Sequence, residues 1–182
     1  MIELLGVLAT AAVLLTLALP AFTALADQHR AAAGLNRMIA LVNQARATAV
    51  LRNRSVVLCA SDSTLPEARC AGRDDWHLGT LLFGDRNGNG RLDRLDPIYR
   101  RDAGWHSGAR VRWRAFRNRS YLRFRSNGMT DWQNGSFTWC PPSGDVRLAR
   151  QVVLNAGGRA RLSQDSDGDG VVEDALGRPL SC

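Results

Sequence analysis

The sequence predicts an α+β fold, in which one long N-terminal helix lies on antiparallel β-sheet, from three observations. No side chain from Leu4 to Ala26 is charged. Leu35, Met38, Ile39, Val42, Ala45 and Ala49 recur at helical spacing. Beyond Arg52 the pattern changes to short β-like runs divided by turn residues.

The uncharged run comes first. As a helix rising about 1.5 Å per residue it is long enough for the roughly 30 Å hydrocarbon layer, which makes residues 1–26 a candidate single-span anchor. The alternative is a cleaved secretory signal ending near Ala24-Leu25-Ala26, but Glu3 stands where such a signal carries Lys or Arg. A carboxylate at the edge of hydrocarbon calls for a cation or a water-filled niche, so Glu3 is expected to have a partner; the plainer alternative is an acid favoured at a helix start. Pro20 is expected to bend the helix without ending it. The amphipathic half, residues 27–54, follows to about Arg52, with Arg30, Arg37 and Arg52 largely off the apolar stripe. Residues 55–182 then form a β-rich domain with an acidic C-terminal tail. Its expected strands are Ser55 to Ala60, Trp76 to Phe83, Ala109 to Phe116, Tyr121 to Arg125, Ser136 to Cys140 and Gln151 to Asn155. Turn residues such as Asn118, Asn127-Gly128 and Asn134-Gly135 divide several of them.

Composition sets the outer bounds. The 182 residues, 45% hydrophobic, suffice for one core and exclude a disordered chain, a collagen-like repeat and a multi-span membrane protein. The formal charge of +7 is made without Lys. Arg110, Arg112, Arg114, Arg117, Arg119, Arg123 and Arg125 fall in one acid-free stretch and equal that charge, so the basicity belongs to a segment.

Alternation along residues 110–115 puts three Arg on one strand face and Val111, Trp113 and Ala115 on the other. Residues 120–125 repeat this, with Tyr121, Arg123 and Arg125 opposite Leu122 and Phe124. Pairing the two strands through Asn118 is expected to build an Arg ladder that follows a phosphate backbone without reading bases. The alternative is a solvated face whose Arg residues pair with nearby Asp. Four cysteines in an exported chain suggest two disulfides, for which three pairings exist. We expect Cys59 with Cys70, closing a short loop, and Cys140 with Cys182, stapling the tail.

Two acidic loops suggest calcium. Asp85, Asn87, Asn89, Gly90, Asp93 and Asp96 follow the spacing of a calcium loop with Asp as its last ligand. Asp165, Asp167, Asp169 and Gly170 repeat the opening, with Glu173 after them and Leu176 at the closing position. Either is alternatively a plain turn. Zinc is disfavoured because no Cys-x-x-Cys exists and His29, His77 and His106 are scattered. No catalytic triad, paired carboxylates or phosphate loop is present, so no enzyme and no firm cofactor is expected.

The chain resembles type IV pilin-like proteins of the GspH/FimT group. Met1-Ile2-Glu3-Leu4-Leu5 is similar to the mature pilin start, Glu3 matches the family's near-terminal glutamate, and Pro20 matches its kink proline. Residues 45–59, 83–90, 137–140 and 151–154 resemble the group's helix end, first strand, Asp-x-Asn-Gly-Asn-Gly loop and closing strands. Gly158-Arg159-Ala160-Arg161 matches the Gly-Arg-x-Arg motif implicated in DNA binding in FimT-type minor pilins. The leader and first mature residues of the pattern are not in the sequence, as expected for a displaced or truncated start, and the acidic tail after the motif is a second departure.

The resemblance implies a minor pilin held in the inner membrane by one span, with its domain in the periplasm. It would then be built into an extracellular type IV pilus beside other minor and major pilins, with Glu3 meeting a neighbour's N-terminal amine. It further implies non-sequence-specific binding of double-stranded DNA for uptake in natural transformation. The expected contacts are Gly158, Arg159 and Arg161, joined by the strand residues Arg112, Arg114, Arg123 and Arg125. The alternative is a structural minor pilin, or a type II secretion pseudopilin, that primes or caps a filament and binds only protein.

Overall fold

The computed structural model describes residues 2–72, 74–105, 108–117 and 120–182, without the side chains of most residues between Leu4 and Ala26. Helix α1 runs Ile2–Leu51 and continues through Pro20. Among the described residues no helix is long and apolar enough to cross a membrane. The helix ends in a Schellman-type cap: the Asn53 N–H donates to Val50 O (3.1 Å) and the Arg54 N–H to Ala49 O (3.1 Å). Asn53 takes the left-handed conformation this cap needs (φ 48°), one that Asn tolerates better than most residues.

Among the described residues eight strands follow: β1 Val56–Ala60, β2 Gly79–Gly84, β3 Ile98–Ala103, β4 Arg110–Ala115, β5 Tyr121–Phe124, β6 Gly135–Cys140, β7 Arg150–Leu154 and β8 Ala160–Leu162. They form two antiparallel sheets, ordered β3-β2-β1-β5 and β4-β6-β7-β8. The apolar stripe of α1, from Ala31 through Leu35, Met38, Val42 and Ala45 to Ala49, is buried against both sheets in one core. Burial of such a stripe stabilises by roughly 25 cal/mol per Å² of apolar surface, which accounts for one helix organising two sheets. Trp76, Trp113 and Phe137 pack against one another within that core, with ring centroids 4.3 to 6.5 Å apart. On the other face of the first sheet, Val57, Cys59, Leu81 and Phe83 make a smaller cluster closed by loop residues, Cys70 and Leu92 among them.

Three expectations are corrected. The segment beginning at Trp76 opens as a 3-10 turn, Trp76–Leu78, before β2 starts at Gly79. The strands β3 and β8 were not anticipated: both are sheet edges, and β3, Ile98-Tyr99-Arg100-Arg101-Asp102-Ala103, is charged at three consecutive positions. Most important, β4 and β5 do not pair, since β4 lies beside β6 and β5 beside β1. The physical reason is that the apolar faces Val111/Trp113 and Leu122/Phe124 both belong to the same core, approached from opposite sheets. One continuous hairpin cannot cover both sides of that core, so the expected Arg ladder does not form.

Candidate functional site

Alternation in β4 buries Val111 and Trp113 and leaves Arg110 and Arg114 exposed and Arg112 half-buried on the opposite face. The antiparallel register then sets Arg114, Ser136, Val153 and Arg161 in one row across β4, β6, β7 and β8. Arg114 and Arg161 therefore stand on the two edge strands, three strand spacings or about 14 Å apart. In the next row Gln151 donates to the Thr138 hydroxyl (3.0 Å) and accepts from the Ser163 hydroxyl (3.2 Å). A groove of about 870 Å³ over this face is lined by Arg112, Arg114 and Arg161 together with Trp132 and Arg178. A second groove of about 590 Å³ includes Arg110, Arg112 and Arg114 in its walls.

Trp132 was not singled out from the sequence. Its neighbours explain its position: the Asp131 N–H donates to Arg123 O (3.1 Å), and Gln133, fully buried, accepts from the Arg123 N–H (2.6 Å) and donates to Tyr121 O (2.9 Å). Two anchors on β5 force the residue between them outward, into a left-handed conformation (φ 59°) and 61% exposed. An indole held this way is a flat apolar surface beside guanidinium groups.

The remaining expected DNA contacts divide. Arg159 is exposed but lies in the turn before β8, where its N–H donates to Asn155 Oδ1 (3.0 Å) and its side chain does not line the groove that Arg161 lines. Gly158 is buried in that turn at φ 74°, and a Cβ there would sit 2.5 Å from Gly128 O. The backbone it admits is therefore the protein's own. Arg123 points inward, contrary to its expected place on a solvent-facing ladder: it is 9% exposed and bridges Asp85 (3.2 Å) and Asp131 (3.2 Å). Arg125 pairs with Asp131 as well. By contrast, no ion pair among the described residues occupies Arg110, Arg112, Arg114, Arg159 or Arg161.

Fold and surface can now be compared with known proteins. The family described as Type II transport protein GspH matches residues 35–158, well over half of the chain. The chain belongs to the GspH family. Its structure is similar to a crystal structure of the Pseudomonas aeruginosa type IV minor pilin FimU, at TM-score 0.55 and 22% identity over 79% of this chain and 92% of that one. A second crystal form of FimU gives TM-score 0.53 at 20% identity. The minor pseudopilin EpsH from the Type 2 Secretion System of Vibrio cholerae gives TM-score 0.51 at 11% identity, over 73% of this chain and 95% of that one. At these identities the likeness is one of fold. Comparison with curated proteins finds no match.

In this GspH-family chain the segment after β8 folds back over the basic face. Both expected disulfides are present, Cys59–Cys70 with Cα atoms 5.6 Å apart and Cys140–Cys182 at 5.7 Å. The second ties the chain's last residue to the end of β6. Between β8 and that staple, Val172 and Leu180 pack with Ala149 in a small cluster, and Asp174 pairs with Arg178 (2.7 Å). The Arg178 guanidinium, with the backbone N–H groups of Arg178 and Leu176, holds the Asp174 carboxyl below the usual carboxylate range. The tail thus brings its own cation, Arg178, into the groove with that cation's counter-ion.

The first acidic loop is closed on itself. Asp85, 3% exposed, accepts from the N–H groups of Asn89 (3.1 Å) and Gly90 (3.0 Å) besides pairing with Arg123. Asp93 accepts from the amides of Asn87 and Asn89 (both 2.8 Å), and Asp96 from the N–H of Asp93 (3.0 Å). Its acids are occupied as turn acceptors and do not converge on one point among the described residues.

Proposed function

We propose that this protein is a minor pilin-type filament subunit whose second sheet binds the phosphate backbone of double-stranded DNA without sequence preference, for DNA uptake in natural transformation. The observation that carries the reading is the row Arg114, Ser136, Val153, Arg161, with Arg112 beside it. It sets cations free of carboxylate partners among the described residues on both edges of one exposed sheet face. Guanidinium groups so held meet phosphates and not base edges, which gives affinity without sequence readout. The uncharged run from Leu4 to Ala26 supports a single inner-membrane anchor before assembly, with the β-rich domain in the periplasm and later on an extracellular type IV pilus. Its other partners are then the major and minor pilins of that filament, and its role is binding, not catalysis.

A second reading is favoured by the tail. Tail residues between Asp174 and Ser181 border the same groove and add a carboxylate, Asp174, to it, which suits a structural minor pilin or type II secretion pseudopilin that binds protein alone.

Salt dependence separates the two. A fragment of residues 27–182 retains every buried core residue among those described. If it neutralises about four phosphates, log affinity falls against log salt with a slope near −3.6. Replacing Arg114 and Arg161 together with Ala flattens that slope by about two contacts, equally for all DNA sequences. Failure of the unmodified fragment to bind DNA at low salt assigns the protein-only role.

A further inference from the structure

We propose that the loop from Asp165 to Glu173 binds one divalent cation, and that its donors select calcium. One carboxylate oxygen from each of Asp165, Asp167, Asp169 and Glu173 lies within 4.8 Å of the others. Exposed acids gather in this way on many proteins, so the gathering alone decides nothing. Glu173 is what sets this loop apart. It is only 6% exposed, and its Oε2 accepts from the Ser166 N–H (2.7 Å) and hydroxyl (2.8 Å). Its Oε1 is buried with no hydrogen-bond partner. A buried carboxylate oxygen left unpaired is costly, and three more carboxylates close by raise the cost by like-charge repulsion. Among the described residues no Arg forms an ion pair with any of the four. A cation seated among them supplies the missing counter-charge and the missing partner together.

The donor set names the cation class. Acids at the first, third and fifth positions with Gly at the sixth follow the opening of a calcium loop, and Gly170 takes the left-handed turn at that point (φ 88°). The twelfth position, normally a bidentate Glu, is the exposed Leu176. Glu173, at the ninth position and turned inward, takes over as the closing acid. A set made wholly of carboxylate oxygens suits a hard cation and excludes a thiolate or imidazole metal. Such a set of carboxylates suits calcium, which accepts irregular coordination by many oxygens, better than magnesium, which demands near-ideal octahedral geometry and keeps its water. The site is independent of DNA binding, although the tail it orders borders the basic groove.

Equilibrium dialysis of the full chain in detergent, disulfides intact and stripped with chelator, against radioactive calcium tests this. We expect one calcium per chain with a Kd of about 10⁻⁴ to 10⁻³ M, as in extracellular modules, and at least about tenfold weaker binding of magnesium. Glu173→Gln is expected to weaken calcium about tenfold or more. Asp167→Asn gives a second measure at an exposed side chain that only accepts from the Asp169 N–H (3.1 Å), so a weakening there does not come from a disturbed core. No saturable binding by the unmodified chain, or unchanged affinity in Asp167→Asn, overturns the site. Equal affinity for magnesium overturns the assignment to calcium.

Discussion

Arg123 and Arg161 show how little residue type and alternation say about exposure. Both sit on short strands in Arg-rich segments, yet Arg161 faces solvent while Arg123 is folded between Asp85 and Asp131. Arg123 Nη2 also donates to Gly88 O (2.6 Å), which ties the first acidic loop to β5. Removing its side chain leaves the Asp85 carboxylate buried without its counter-ion. We expect Arg123→Ala to cost about 3–5 kcal/mol of stability, seen as a lower denaturant midpoint at unchanged slope. A midpoint equal to that of the unmodified protein would show that the charge cluster is not needed. Salt-dependent DNA binding by the fraction that remains folded is expected to be unaltered, in contrast to loss of Arg114 and Arg161.

Among the elements, the C-terminal tail is one whose stability should respond to pH. Asp174 is held in its ionised form by Arg178 and by two backbone N–H groups, so its folded pKa lies below its unfolded value of about 3.9. A depressed acid contributes stability that is present above the unfolded pKa and lost as pH falls through the folded one. Native-state hydrogen exchange should therefore show the amides of Leu176 and Arg178, both donors to Asp174 Oδ1, equally protected from pH 7 to 5. Protection should decline only below about pH 4. Asp174→Asn is expected to lose that acid transition. A transition centred near pH 6 would point to another group and reject Asp174 as its source.

At the scale of the whole molecule, α1 extends well beyond the domain it organises, with Glu3 in its first turn and exposed. If the uncharged run serves as the anchor proposed above, Glu3 acquires its role in assembly. Glu3→Ala is then expected to leave membrane insertion intact and to reduce incorporation into filaments, which fractionation and sheared-filament immunoblotting measure. Normal incorporation of that variant would remove the assembly role. Much of this architecture was legible along the chain. The long helix, its apolar stripe and six of the strands follow from local periodicity, because a helix or strand must turn its apolar side chains to one face. The two disulfides were anticipated from the spacing of four cysteines, and the contacts of the folded chain confirm them. The strands β3 and β8 escaped because neither buries a face deeply enough to demand alternation: β3 has no fully buried residue, and β8 is only three residues long. The site was legible only in part: the sequence by itself determined that Arg110, Arg112 and Arg114 share a face and that the motif around Arg161 is basic. Which Arg residues share one face of the fold was decided by tertiary structure. Sheet order joined Arg114 to Arg161 across four strands and separated both from Arg123. The reason is that strand partners are chosen by burial of apolar faces on one common core, a requirement spread over the whole chain and invisible in any single segment.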